Sequence, residues 1–391
     1  MRLKESKEAF QIHRLAKSRR FLGILFVVGM IYGFVSYDLV HKKKQRQGRL
    51  EVHLDSTSSN ASHLSSFEQN YIMQGNVSWS GELQCPSQGT EIGSSFLRLK
   101  NFMEDGEWRE EGAFNIFLTE TSCSSRPNYR AWCSVESMAH ENPEGLVWYV
   151  MTSPEVDLQD GLVKQLLGRH KNLRLVTANL SEIFDGTPLQ ELYHSGAWNS
   201  DTKWPAANLS DMLRLAIVWL AGGFYSDTDV ICISPLTGLR NVIGLAEYNL
   251  VNGANFHFDR HHPMLEYFMV HLNDHFNPYV WGENGPRTVS AVLRDVCKED
   301  VLFQDLECEG VRILSHAAFN PVQPNGRVLL FQRTQEKNIR KRFPYSYAIH
   351  FWNRMTHSQP VFKNTDSVYD LAAASFCPIS RRAATQNSPY Y

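Results

Sequence analysis

Runs of apolar residues divide this chain into one long uncharged segment, a polar stretch, and then alternating strand-like and helix-like blocks. The long segment, Phe21 to Tyr37, holds 17 residues without a charge. That is the lower end of what spans a bilayer as a helix. Residues 38–95 are rich in Ser, Asn, Gln and Gly and lack a sustained apolar period, so they predict a flexible stem. Ordered sequence is expected from Phe96 onward. Asn115 to Thr119 reads as a strand and Cys133 to His140 as a short helix. Leu146 to Met151 is continuously apolar, the mark of a strand covered on both faces. Asp157 to Arg169 repeats Leu158, Leu162 and Leu166 at helical spacing, and Leu173 to Val176 is a further strand. Strands alternating with helices predict an α/β fold with a mostly parallel central sheet.

The block from Leu209 to Asp229 carries the most information. Ser210 is the expected N-cap of a helix that is apolar nearly all round (Leu213, Leu215, Ile217, Val218, Trp219, Leu220) and therefore buried. Gly222 and Gly223 stop it. A short strand follows and ends in Asp227 and Asp229. Alternation along a strand turns Tyr225, Asp227 and Asp229 to one side. Two hard oxygen donors there suit a divalent cation that also holds a diphosphate. Further on come the segment Tyr248 to Ala254, a helix from Pro263 to Asn273, a turn from Trp281 to Pro286, a helix from Thr288 to Cys297 and a strand from Tyr345 to Trp352. The polar C-terminal tail is expected to fray.

Composition changes this picture in three places. The formal net charge of −2 over 391 residues gives no support for a nucleic-acid partner. Six basic residues lie between Lys4 and Arg20, and no Ala-x-Ala follows the apolar run, so an uncleaved signal anchor is favoured over a signal peptide. The predicted organisation is a cytoplasmic tail at 1–20, an anchor at 21–37, a lumenal stem at 38–95 and a catalytic domain at 96–391. The sequons at Asn60, Asn76, Asn179 and Asn208 all follow the anchor and are acceptors only in a lumenal chain. Asn208, at the start of the apolar helix, is expected to be too constrained for a glycan. The third place is the seven cysteines, most of which should pair in an oxidising lumen. Cys297 with Cys308 and Cys123 with Cys133 are the expected local loops, and Cys232 is expected to be buried and free.

Several other residues carry candidate chemistry. Asp211 and Arg214 share a helix face. On so apolar a helix a charged pair calls for a specific partner, such as a ribose for Asp211 and a phosphate or sugar for Arg214. Tyr225 suits base stacking, a phosphate contact or core packing. His350, two residues before Trp352, is either a hydrogen-bonded core histidine or a further metal ligand, and Asn353 beside it is a polar contact. Gly282, Gly285 and Pro286 form a turn whose tip offers Glu283 and Asn284 to a sugar hydroxyl. Gly253, after Asn252, allows close backbone approach.

Taken in order, Ser210-Asp-x-x-Arg214, Gly222-Gly-x-Tyr-x-Asp-x-Asp229, Asn252-Gly-Ala254, Trp281-Gly-x-x-Gly-Pro286 and Tyr347-Ala-x-His-x-Trp-Asn353 resemble the α-1,4-glycosyltransferase family over about residues 113–380. The resemblance implies a GT-A type nucleotide-sugar transferase fold behind an N-terminal transmembrane helix and stem. It also implies Mn²⁺ dependence and a single-pass type II place in the Golgi membrane. The implied donor is UDP-galactose, UDP-N-acetylgalactosamine or UDP-N-acetylglucosamine. The sugar would pass with retention, in α-1,4 linkage, to a terminal galactose or hexosamine of a glycosphingolipid such as lactosylceramide, or of another glycan acceptor. Asp227, Asp229 and Arg214 are then the catalytic candidates, and Asp227, Asp229 and His350 the metal set. Asp211, Arg214, Tyr225, Asn252, Asn284, His350 and Trp352 would surround the donor. Asn284 stands where the galactosyl members would have Gln, and Ser226 where Leu is usual. The rival classes are a catalytically silent lumenal sugar-binding protein and a metal-dependent glycan hydrolase, which would need two carboxylates flanking a sugar bond.

Overall fold

The computed structural model describes Cys85 and residues 96–110, 112–158 and 160–386. The expected cytoplasmic tail, the apolar segment 21–37, nearly all of the expected stem, and Asn60 and Asn76 lie outside the described residues. Among the described residues no helix is long and apolar enough to cross a membrane.

The strands are β1 (Phe96–Arg98), β2 (Lys100–Asn101), β3 (Asn115–Glu120), β4 (Leu146–Met151), β5 (Glu155–Asp157), β6 (Leu173–Thr177), β7 (Gly223–Ser226), β8 (Val230–Cys232), β9 (Val242–Glu247), β10 (Leu250–Phe258), β11 (Glu307–Cys308), β12 (Val311–Leu314) and β13 (Ala348–His350). The longer helices are α1 (Tyr129–Glu141), α2 (Leu162–Arg169), α3 (Pro205–Ala221), α4 (Pro263–His275), α5 (Thr288–Cys297), α6 (Val368–Phe376) and α7 (Pro378–Ala384). Among the described residues the main sheet has nine strands in the order β11-β12-β9-β10-β7-β3-β4-β6-β2.

The sheet is mixed. From β2 to β7 every pairing is parallel. Beyond β7 the pairs β7–β10, β10–β9 and β12–β11 are antiparallel, with β9–β12 parallel. The expected mostly parallel sheet therefore holds for one half. In the other half Asn249, at φ 59, closes a tight hairpin that makes β9 and β10 antiparallel. This splits the segment Tyr248 to Ala254 between a turn and a strand.

Alternation along the central strands builds two cores. Phe117 and Trp148 face Leu213, Ile217 and Phe268, from α3 and α4. Ile116, Leu118, Val147 and Tyr149 face Val135, Met138 and Leu166, from α1 and α2. Covering both faces is what makes β3 and β4 apolar without interruption, and each such large side chain contributes about 1.5–3 kcal/mol on burial.

Several expected boundaries move. Helix α3 begins at Pro205, in the first helical position, rather than at Ser210; the fixed φ of proline suits that position. The Ser210 hydroxyl is spent on Arg214 and Tyr225 instead of on a cap. The stretch Asp157 to Arg169 divides into β5 and α2, because Gly161 in the left-handed region starts the helix late. The turn after Trp281 is a π-helical turn, Glu283–Arg287. The strand expected at Tyr345 to Trp352 is only Ala348–His350.

The C-terminal tail is not frayed up to residue 384. Helices α6 and α7 pack there on α1, and the buried Glu136 carboxylate accepts the Ile379 and Ser380 backbone N–H groups at 2.9 and 2.7 Å. Among the described cysteines, Cys297–Cys308 pairs as expected and Cys232 is buried and free. The Cys123–Cys133 loop is not formed: Cys123 joins Cys85, and Cys133 joins Cys377. Cys133 points from α1 to the C-terminal helices, which local spacing could not reveal. The Asn208 side chain is 5% exposed, and its amide donates to Trp198 O and Thr202 Oγ1, in keeping with the constraint expected of it.

Candidate active site

Strand β7 stops at Ser226, so Asp227 and Asp229 sit in the turn before β8 rather than at the end of a strand. They converge all the same. The turn is pinned by Asp227 N–H to Ala254 O (2.9 Å), Phe351 N–H to Asp229 O (2.8 Å) and the Ser134 hydroxyl to Thr228 O (2.7 Å). Antiparallel pairing of β8 with β13 sets His350 opposite Val230. One ligand atom each from Asp227, Asp229 and His350 lies within 4.8 Å of the others. Such a set of two carboxylates and an imidazole fits a divalent cation.

The surroundings orient each ligand. His350 Nε2 lies 3.1 Å from Asp229 Oδ1, and the Asn353 backbone N–H donates to Asp229 Oδ2 at 2.6 Å. His350 Nδ1 lies 3.1 Å from Asn320 Oδ1, and Asn252 Nδ2 donates to the same oxygen at 3.3 Å. Nδ1 also lies 3.1 Å from Asn252 Nδ2, so two amides hold that side of the ring and direct Nε2 at the carboxylates, the second-sphere pattern of a histidine ligand. Burial disfavours ionisation of Asp229, but His350 and the Asn353 N–H outweigh it and hold the carboxyl below its usual range. Burial likewise pulls His350 down, but Asp229 beside it raises the imidazole above its ordinary value. Trp352, left-handed at φ 55, stacks on His350 with centroids 4.0 Å apart and donates its indole N–H to Val322 O. A bulky residue held in that region is unusual outside functional sites.

A second cluster surrounds Arg214. Its guanidinium lies 3.1 Å from Asp211 Oδ1 and 3.2 Å from Asp227 Oδ1. It donates to Gly253 O at 2.8 Å, Ser210 O at 3.0 Å and Ser210 Oγ at 2.9 Å, and sits 4.8 Å over the Tyr225 ring. The Tyr225 hydroxyl donates to Asp227 Oδ1 at 2.8 Å. Burial opposes the Arg214 charge, yet Asp227, Tyr225 and Asp211 raise it further. Burial pushes the Asp211 carboxyl up to about 6 against the pull of Arg214. The Asn252-Gly-Ala segment ties the two clusters together, since Asn252 steadies the Asn320–His350 contact while the Gly253 carbonyl holds Arg214.

All nine predicted residues line one cavity of about 810 Å³. Asn284 lines it with its amide committed elsewhere: it donates to Asn208 Oδ1 and Asn277 O and accepts from Asn277 N–H. Glu283 pairs with Arg287 instead of facing the cavity. The Gly285 requirement is steric, as a Cβ there would lie 2.7 Å from Asp211 Oδ1.

Sequence reasoning missed Glu120, Thr121, Ser122 and Tyr149, which line the cavity at the carboxyl ends of β3 and β4. Ligands of open α/β sheets bind at that edge, and the polar run Thr119 to Ser122 after an apolar strand was the available signal. Burial raises Glu120, although Ser122 and Ser124 N–H groups bond to it. The fully buried Tyr149 hydroxyl has no hydrogen-bond partner among the described residues.

A cleft at the carboxyl edge of an α/β sheet in which Asp227, Asp229 and His350 converge has the arrangement of a nucleotide-sugar transferase. Residues 128–249 match the glycosyltransferase sugar-binding region containing the DXD motif, and residues 257–384 match the alpha 1,4-glycosyltransferase conserved region. Human lactosylceramide 4-alpha-galactosyltransferase is 31% identical over 274 residues, covering 69% of this chain and 77% of that protein. Human alpha-1,4-N-acetylglucosaminyltransferase is 31% identical over 278 residues, covering 68% and 79%. Among solved structures, an active-site mutant of LgtC aligns over 61% of this chain and 87% of that one, at 14% identity and a TM-score of 0.34, a likeness too slight to bear on the fold. The chain belongs to the α-1,4-glycosyltransferase family and is a hexosyltransferase.

Proposed function

We propose that this chain transfers galactose, or an N-acetylhexosamine, from a UDP-sugar in α-1,4 linkage and with retention to a terminal galactose or hexosamine of a glycosphingolipid such as lactosylceramide. The observation that carries this is the convergence of Asp227, Asp229 and His350 within 4.8 Å beside the Arg214 cluster. The relatives named above are transferases of α-1,4 linkages, and the α/β sheet with its cleft at the carboxyl edge supports a GT-A reading. The membrane anchor at 21–37 and a Golgi location belong to the same proposal, as does the catalytic domain from residue 96.

Asp227, Asp229 and His350 would hold Mn²⁺. The bound ion would supply positive charge against the diphosphate and so favour its departure. Arg214 is pre-oriented by five contacts, so its guanidinium adds fixed charge beside Asp227 without reorganisation. Asp211 holds that guanidinium, and Tyr225 supports it from below. Glu120 and the partnerless Tyr149 hydroxyl, at the β3 and β4 edge, offer a polar seat for the uridine. In the transfer the bond from the anomeric carbon to the UDP oxygen breaks. The acceptor oxygen bonds to that carbon from the same face, and its proton passes to the departing diphosphate oxygen. No carboxylate is assigned as a covalent nucleophile.

The test is incubation of the full chain with Mn²⁺, each of UDP-galactose, UDP-N-acetylgalactosamine and UDP-N-acetylglucosamine, and lactosylceramide. The product is analysed by NMR. An α-1,4-linked product with one donor is expected. A β-linked product, or cleavage of the acceptor, would overturn the proposal.

A further inference from the structure

With the metal set, the Arg214 cluster and the β3 edge accounted for, one part of the cavity wall is left without a role. It consists of Trp204, Val280, Trp281, Arg354 and Met355. Its character differs from the rest. Trp281 is 45%, Val280 40% and Met355 43% exposed, so large apolar side chains stand in water where a polar cavity meets solvent. Such clusters mark binding surfaces. We propose that Trp281 and Arg354 form the acceptor subsite, a platform for the apolar face of a terminal β-galactoside. This rests on the transferase reading above.

The platform is built from two segments far apart in the chain. Trp281 precedes Gly282, whose φ of 74 sets the turn, and meets Trp204 edge to face with centroids 5.6 Å apart. Arg354 comes from the short helix Asn353–Thr356 after β13 and places its guanidinium 4.9 Å from the Trp281 centroid, within cation–π range. Among the described residues Arg354 has no ion pair or side-chain hydrogen bond, so its N–H donors are available to hydroxyls. Arg354 also follows Asn353, whose backbone N–H holds Asp229. The acceptor platform is therefore one residue along the chain from a contact that fixes the metal set.

Sugar stereochemistry then selects the class of acceptor. In a β-galactoside the C–H bonds at positions 3, 4 and 5 form a continuous apolar patch on one face, and the axial 4-hydroxyl stands on the other. Stacking the patch on an indole leaves O4 pointing away from the ring, free to attack. A glucoside carries its 4-hydroxyl equatorially, so the patch is interrupted and O4 lies in the ring plane. An aromatic platform beside the donor site thus favours galactosides and an outcome at O4.

The test compares the full chain in detergent with its W281A, W281F and R354K variants, using a lactosyl and a cellobiosyl acceptor. In W281A the KM for the lactosyl acceptor should rise roughly ten-fold or more, with the KM for the UDP-sugar at the wild-type value. The preference over the cellobiosyl acceptor should collapse with it. W281F, which keeps a ring, should recover most of the loss, and R354K should raise acceptor KM without moving donor KM. R354K carries the test should W281A fold poorly. Unchanged acceptor KM in W281A and R354K variants of a chain that does transfer sugar would overturn the subsite alone. A wild-type chain that transfers from no UDP-sugar would sink the transferase reading and the subsite together.

Discussion

Replacing Arg214 by methionine tests how the site is held together. The substitution keeps the apolar stem and removes the guanidinium. Two carboxylates, Asp211 and Asp227, then face one another without the cation that sits 3.1 and 3.2 Å from them. The Gly253 carbonyl loses its guanidinium donor. Removing one member of a buried ion pair costs about 3–5 kcal/mol, and an orphaned buried acceptor about 1–3 kcal/mol. The total is capped because Asp211 can take up a proton. Its carboxyl is already pushed up to about 6, and losing Arg214 raises it further. A carboxyl whose pKa is higher in the folded than in the unfolded chain binds more protons when folded, so stability falls as pH rises through that window. The R214M penalty should therefore be smaller near pH 5.5 than near pH 8. Scanning calorimetry without metal should show a melting point about 5–15 °C below wild type at the higher pH, with a smaller gap at the lower. Adding D211N should recover part of the loss, and transfer activity should fall by about 100-fold or more. An unchanged melting point at pH 8, or a gap that widens on acidification, would refute the reasoning.

Asp229→Asn keeps the shape but not the charge between His350 and the Asn353 N–H, and should cut transfer by about 100-fold or more in excess Mn²⁺; radiolabelled-sugar transfer measures it, and full activity would remove Asp229 from the metal set. Burial pushes the Cys232 thiol up to about 12, so iodoacetamide should leave it unlabelled in the folded chain and label it once the chain is unfolded without reductant. Mass spectrometry finding more than one labelled cysteine would contradict the three disulfides. Cys377→Ser opens a link spanning 244 residues and should cost about 2–5 kcal/mol. Urea unfolding reads this directly, and an unchanged midpoint would mean that α6 and α7 are held by Glu136 and apolar packing alone.

Much of the architecture was written in local patterns. The continuous apolar runs of β3 and β4, the buried α3, and the helix from Thr288 to Cys297 all follow from periodicity, because burial on one or two faces imposes a repeat that any reader of the chain can see. The glycine doublet was legible as a helix stop, though its stricter reason was not. A Cβ at Gly223 would lie 2.5 Å from Asn115 O, so the doublet also lets β7 close against β3. The aspartate pair and its flanking motifs were enough to name the family.

The chain alone thus determined most of the element types, the buried free Cys232 and the residues around one chemical task. Tertiary structure decided which of them meet. His350 reaches Asp229, 121 positions away, only because β13 pairs with β8. Cys133 finds Cys377 because α6 and α7 fold back on α1, and Asn284 turns from a sugar contact into a clasp on Asn208. Tyr149 and Glu120 sit in β4 and at the end of β3, strands that read as pure core, and become cavity wall only at the sheet's carboxyl edge. The physical reason is range: periodicity reports how each segment is buried, whereas strand order and helix docking, which carry no local signature, set the distances between side chains far apart in the chain.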